Sequence, residues 1–276
     1  AILFFRLGDF YELFFEDAER AAPILEVTLT SRNKGDPNPI PMCGVPYHAV
    51  EGYISKLLAA DLNVAICDQV SDPAAAPGLV ERDLVRIITP ATVLEEGEGL
   101  RQTRQNHLSV IVRHENGVGM GIATVEITTG EVRVCLAPGL EAGREELDRI
   151  APREVLYPPE DSELEELANE VTPAASARGV PDARWAQEVD DQMARHLAGR
   201  LEEFSPAEQE ALRRALAYIA ETLRGGFEHL RAPIRYEMSD HLLMDDRSRR
   251  NLAVVEGGAG TAHGSLWWVL DEAATA

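Results

Sequence analysis

Three apolar runs, Leu108–Val112, Gly119–Ile127 and Glu131–Leu136, are separated only by the short breaks Glu115-Asn116-Gly117 and Thr128-Thr129-Gly130. No other feature limits the fold as much. Short runs rich in β-branched residues read as strands, and breaks of this kind, each ending in glycine, return the chain antiparallel beside itself. A three-stranded meander is expected here. Beyond it, helical patterns alternate with a short strand at Glu154–Tyr157, which predicts helices layered on a sheet. The clearest helix is Pro206–Leu223. Ser205 is its N-cap, Pro206 its first helical residue and Glu208 the partner in a capping box, while Leu212, Leu216, Ile219 and Leu223 form a buried stripe. Gly225-Gly226 ends it.

The chain before the meander reads as a separate mixed α/β unit of about ninety residues. Residues 2–7 and Val64–Val70 have strand character, Leu84–Thr89 is a further short strand, and Glu16–Leu25 is a helix. Val50, Ile54, Leu57 and Leu58 fall at helical spacing. Between these, Pro37, Pro39, Pro41 and Pro46 are expected to deny regular structure to the loop from Arg32 to Pro46. The acidic stretch Glu95–Gly99 closes the unit. After about Arg235 a third piece begins, with Leu242–Met244 as a strand and Asp246–Val255 as a helix. The expected domains are residues 1–100, 101–232 and 233–276.

With 276 residues, 45% of them hydrophobic, the chain can bury a substantial core and suits more than one domain. Its net charge of -21 excludes binding to nucleic acid by bulk electrostatics, so any such binding must be local. Residues 1–100 hold seven Lys or Arg against sixteen Asp or Glu. Cys43, Cys67 and Cys135 are odd in number and far apart, which fits a reducing cytoplasm and neither a disulfide framework nor a zinc site. His107, His114, His196, His229, His241 and His263 show no metal-ligand spacing. No apolar run reaches membrane-spanning length and no signal-peptide pattern is present. The start without Met, and the stop just after Trp267 and Trp268, read as a piece of a longer protein whose helical core would bury those two rings.

The stretch Gly8-Asp9-Phe10-Tyr11-Glu12-Leu13-Phe14 sets three aromatic rings and two carboxylates close together. If it is extended, Phe10 and Glu12 project to one side while Tyr11 and Leu13 face the core. A ring can wedge between stacked bases from the minor groove, and an adjacent carboxylate can hydrogen-bond the displaced base. Unstacking costs less where pairing is already poor, so such a pair would sense mismatch through deformability. The alternative from pattern alone is a core strand carrying a solvated glutamate.

Phe5-Arg6-Leu7-Gly8-Asp9-Phe10-Tyr11-Glu12-Leu13-Phe14, followed by Asp17-Ala18, resembles the start of the mismatch-binding domain of the MutS family of DNA mismatch repair proteins. The stretches Pro39–His48, Val64–Val70 and Val85–Thr92 follow in the family's order, so the resemblance runs through residues 2–108 and continues more weakly beyond. It implies that Phe10 stacks on the mispaired base and Glu12 hydrogen-bonds it. Leu7, Asp9 and Tyr11 flank them in the same motif, Arg32 and Lys34 approach phosphates, Met42 fills the groove beside the wedge and His48 reaches backbone.

The implied fold class is a mixed α/β mismatch-binding domain followed by an RNase H-like connector domain and the beginning of an all-helical core. The implied partners are mismatched duplex DNA, a second subunit of a homodimer, and MutL, in a bacterial cytoplasm. ATP and Mg2+ would serve the full-length protein, because no Gly-x-x-x-x-Gly-Lys-Ser/Thr loop stands in this sequence; the chain itself is expected to hold no cofactor and to catalyse nothing. Three rivals stand beside this reading: a MutS paralogue that binds other DNA structures, an RNase H-like nuclease built around Glu126, and an adaptor that only docks proteins.

Overall fold

The computed structural model describes residues 1–33, 37–70, 82–92, 106–114, 117, 119–171, 176–181, 203–223, 230–238, 248, 251–254, 257 and 261–270. The described strands form two six-stranded mixed sheets, each in its own α/β layer.

The first sheet is made by β1 (Ile2–Leu7), β2 (Phe10–Phe14), β3 (Thr30–Arg32), β4 (Ile40–Pro46), β5 (Val64–Gln69) and β6 (Arg82–Ile88), in the order β3-β4-β2-β1-β5-β6. β1 and β5 run parallel, and every other neighbouring pair is antiparallel. Helices α1 (Phe15–Leu25) and α2 (Val50–Ala59) lie on one face only. There Ile2, Phe4, Tyr11, Leu13, Cys43 and Val45 meet Ala18, Ala21, Leu25, Ile54 and Leu57 in a closed core. The small alanines of α1 let it sit close against the strands, and Glu16 and Asp17 place negative charge at its N-terminal turn, where the helix dipole favours it.

The expectation of an irregular Arg32–Pro46 loop is corrected. Its second half is strand β4, paired with β2 from Phe10↔Pro46 to Phe14↔Met42 and with β3 from Thr30↔Met42 to Arg32↔Ile40. Proline removes a ladder donor wherever it stands in a strand. Pro41 and Pro46 occupy the ends of β4, so the unbroken run Met42–Val45 still supplies its N–H groups.

The second sheet contains the predicted meander: β7 (His107–Arg113), β8 (Met120–Glu126) and β9 (Glu131–Ala137) pair antiparallel in sequence. Of the first predicted turn, Glu115 and Asn116 lie outside the described residues. Helix α3 (Leu140–Ile150) leads to β10 (Glu154–Tyr157), which joins β7 in parallel. α4 (Ser162–Val171) then leads to β11 (Ser176–Gly179), parallel to β10. Helix α5 (Pro206–Leu223) covers the opposite face, and β12 (Ile234–Arg235) completes the order β11-β10-β7-β8-β9-β12. The capping box forms at the start of α5: the Ser205 N–H donates to Glu208 Oε2 at 2.7 Å, and the Glu208 N–H to Ser205 Oγ at 3.4 Å.

The two layers meet through a buried polar cluster. Glu154 accepts a hydrogen bond from Thr89 Oγ1 at 2.7 Å, just past β6, and another from the Tyr218 hydroxyl of α5 at 2.6 Å. In the third piece, the predicted strand Leu242–Met244 and half of the predicted helix Asp246–Val255 lie outside the described residues; of the rest, Ser248 and Asn251 are helical while residues 252–254 turn and bend, so the helix stops short of the predicted Val255. Helix α6 (Leu266–Leu270) leaves Trp267 and Trp268 about half exposed, so among the described residues nothing buries them. No described helix is long and apolar enough to cross a membrane.

Candidate nucleic-acid interface

Residues 8–14 form the tip and second strand of a hairpin. β1 ends at Leu7, which pairs with Phe10, so only Gly8 and Asp9 make the turn. Gly8 stands at φ 59, a left-handed conformation that glycine adopts without the strain of a Cβ. The short turn fixes the register, and the register decides which side chains share a face. Directly paired residues point the same way, so Leu3, Phe5 and Leu7 of β1, Phe10, Glu12 and Phe14 of β2, and Met42 of β4 line the face opposite the helices. Phe10 is 48% exposed. Glu12 is half-buried, and Phe14 meets Phe5 edge-on at 6.5 Å between ring centroids.

The hairpin tip is held from behind. The Tyr47 N–H donates to the Asp9 carbonyl at 2.9 Å, tying the turn to the single helical turn Tyr47–Ala49. The Arg6 guanidinium lies 3.4 Å from the Tyr47 ring centroid and 5.4 Å from that of Tyr11. Arg82 Nε donates to the Arg6 carbonyl at 3.1 Å. Cation–π contacts of this kind contribute about 0.5–1 kcal/mol each when partly exposed and fix both rings in orientation. Sequence reading missed Arg6, Tyr47 and Arg82 as supports of the site; Arg6 and Tyr47 stood inside quoted motifs, and Arg82 was reachable only through the fold.

Of the predicted contact residues, the structure brings Leu7, Phe10, Glu12, Arg32 and Met42 to one face. Arg32, at the end of edge strand β3, reaches across β4 so that its Nη1 lies 3.3 Å from Glu12 Oε2. Its guanidinium also lies 5.8 Å from the Phe14 ring centroid. Asp9 and His48 are exposed beside the hairpin tip. Tyr11 is the exception: it is buried on the helix side between Phe4 and Tyr47, so its ring supports the hairpin from within and cannot touch a ligand on the outer face. Burial pushes its hydroxyl pKa up. Lys34 lies outside the described residues.

Charges of both signs border this face. Next to Phe14 is an open hollow of about 510 Å³ lined by Leu3, Phe5, Phe14, Phe15, Glu16 and Asp17, an apolar floor with two carboxylates at its rim. On the same face Arg32 lies against Phe14 and Glu12, and Arg82 lies 5.3 Å from the Phe5 ring centroid, so cations and carboxylates are interleaved there; Arg6, paired with Tyr11, stands on the helix side.

Among the described residues, the second sheet offers no comparable surface. Glu126 accepts hydrogen bonds from Thr128 Oγ1 and from the Thr129 N–H, both at 2.6 Å, and so closes the β8–β9 turn. Burial works to raise its pKa, but these donors outweigh it and hold the carboxylate below its ordinary range. Among the described residues, no group of three or more His, Cys, Asp or Glu could hold a metal ion. The three cysteines are buried thiols, and burial pushes Cys43 up to about 11 and Cys135 up to about 12.

Against known families, the model described as MutS domain I matches residues 1–97, and that described as MutS domain II matches residues 106–231. The chain belongs to the MutS family. Proteins named DNA mismatch repair protein MutS align along its whole length. The one from Desulfosudis oleivorans is 44% identical over 285 residues, that from Myxococcus xanthus 41% over 287, and that from Geobacillus thermodenitrificans 38% over 283. These alignments cover 100% of this chain but 32%, 32% and 30% of the relatives. The chain thus spans just under a third of the length of the curated relatives it matches. The two matched MutS domains correspond to the two sheet-containing layers, which places the Phe10 hairpin in domain I and the meander in domain II.

Proposed function

We propose that this chain reads mismatches in duplex DNA for a MutS-type repair protein. Phe10 enters from the minor groove and stacks on the mispaired or unpaired base, and Glu12 hydrogen-bonds the base that Phe10 displaces. The single observation that carries the reading is an exposed Phe10 ring at the tip of a braced two-residue hairpin, with the Glu12 carboxylate two residues along on the same face. A wedge must not fold back under the load of unstacking, which costs a few kcal/mol per step; the Arg6–Tyr47–Tyr11 stack and the Tyr47–Asp9 bond supply that stiffness. Leu7 and Met42 flank the wedge, while Arg32, Lys34, Asp9 and His48 are the candidates for backbone contacts. The acidity of the rest of the unit suits discrimination, because it leaves little nonspecific attraction for an intact duplex to exploit.

The proposed division is a mismatch-recognition domain at 1–100, a connector at 101–232 and the start of a helical core at 233–276. The sheet order β9-β8-β7-β10-β11, three antiparallel strands followed by two parallel ones, supports an RNase H-like connector. Glu126, spent on its turn, speaks for a connecting rather than a nucleolytic role. In the whole protein this part would work in the cytoplasm, in a homodimer that recruits MutL, with ATP and Mg2+ bound by residues outside this chain.

The deciding experiment compares full-length wild type and Phe10→Ala for binding to a G·T-mismatched duplex and to its matched counterpart at one fixed salt concentration. Loss of the mismatch preference in Phe10→Ala is the expected result. A preference that survives the mutation, or is absent from wild type, sinks the reading in favour of a protein-docking role.

A further inference from the structure

Glu12 is paired in the free protein. Its Oε2 lies 3.3 Å from Arg32 Nη1, and among the described residues Arg32 is the one hydrogen-bond partner of its side chain. The partners stand twenty residues apart and come from strands that are not neighbours: β3 holds Arg32 and β2 holds Glu12, with β4 between them. Register fixes the separation, since Arg32 faces Ile40 and Glu12 faces Gly44 across β4. A long side chain from β3 can therefore reach the carboxylate without displacing the strand. Among the described residues nothing donates to the second Glu12 oxygen, Oε1.

We propose that Arg32 is a positioning residue for Glu12: it fixes one carboxylate oxygen so that the other is aimed at the base beside Phe10. The proposal rests on the reading of Phe10 and Glu12 given above and changes the role of Arg32 from general phosphate contact to determinant of discrimination. Matched and mismatched duplexes carry the same phosphates, so a cation that serves only phosphates strengthens both alike and adds about one unit to the salt slope of binding. A cation that holds Glu12 acts where Glu12 acts, on the displaced base. It therefore favours the mismatched duplex and leaves nonspecific affinity nearly untouched.

The test uses full-length protein and a double-mutant cycle on the ratio of matched to mismatched Kd, with wild type, Arg32→Ala, Glu12→Gln, the double variant, and Arg32→Lys and Phe10→Ala alongside. Arg32→Ala is expected to lower the ratio about threefold, the range of a partly exposed ion pair, and Arg32→Lys to recover part of it. In the Glu12→Gln background Arg32→Ala should leave the ratio unchanged, because no carboxylate remains to be held. Arg32 is over half exposed on a three-residue edge strand, so the melting temperature should stay at the wild-type value and the loss cannot be one of folding. Equal weakening of both duplexes, the same in either background and with a smaller salt slope, overturns the proposal and makes Arg32 a phosphate ligand. An unchanged ratio in Arg32→Ala overturns it as well. A Phe10→Ala variant that keeps the wild-type ratio removes the underlying reading too, whereas a normal Phe10→Ala loss with an additive cycle removes this proposal alone.

Discussion

In the second sheet, β8 is buried at all seven positions from Met120 to Glu126. In the first sheet, β2 alternates: Tyr11 and Leu13 are buried, while Phe10, Glu12 and Phe14 look the other way. The difference comes from the helices. α5 packs on one face of the meander around Leu108, Val110, Val125 and Val134, and α3 and α4 pack on the other around Ile111, Ile122, Val155 and Leu164. α1 and α2 cover one face of the first sheet, and among the described residues no helix covers the other. A strand covered twice must be apolar on both sides, whereas a strand covered once is free to use its second side. The first sheet uses it for aromatic rings, at a cost in exposed apolar surface that a purely structural sheet has no reason to bear.

Mutations should divide the two sheets sharply. Leu108→Ala removes a fully buried side chain from the doubly covered core and should lower the unfolding free energy by about 3 kcal/mol in chemical denaturation. A loss under about 1 kcal/mol would mean that this core is looser than described. Gly121→Ala should follow at about 2 kcal/mol. A Cβ at Gly121 would lie 2.2 Å from the Ala207 carbonyl oxygen, so β8 and the start of α5 would have to part; a wild-type melting temperature would contradict that close approach.

The junction between the sheets gives a third, smaller effect. Burial pushes the Glu154 carboxyl above the ordinary glutamate range, against the lowering influence of its donors Tyr218 and Thr89, of the Arg178 charge and of the Ala91 N–H. The folded state thus keeps a proton that the unfolded chain loses, and this contribution to stability is complete below the ordinary glutamate pKa and declines as pH rises above it. Glu154→Gln should flatten the fall in melting temperature as pH rises above the ordinary glutamate pKa of about 4.3; an unchanged slope would assign the pH dependence to other groups. The smallest effect is expected from Phe10→Ala on stability. It should change unfolding by no more than about 0.5 kcal/mol while abolishing mismatch preference in the full-length protein, and a large destabilisation would return Phe10 to the core and erase the contrast between the sheets.

Much of this was legible from local pattern. The meander, the bounds of β10 and α5, and the capping box were readable because turns, caps and side-chain periodicity act over a few residues. The division of β2 into Phe10 and Glu12 on one side and Tyr11 and Leu13 on the other follows from the two-residue period of a strand. That same rule excludes Tyr11 from the outer face, although the motif as a whole drew it in among the contact residues. The loop before Pro46 misled because prolines argue against a strand in general, while their position at its ends permits one.

The sequence by itself thus determined the meander, β10, α5 and its cap, and that Phe10 and Glu12 share a side, since these are set by short-range sterics and hydrogen bonding. Only the tertiary structure decided what stands around them. Arg32 meets Glu12 across twenty residues, and Tyr218 and Thr89 meet Glu154 across sixty-four and sixty-five. Strand order and helix placement create such meetings, and these follow from burying apolar faces over the whole chain, which no local stretch encodes.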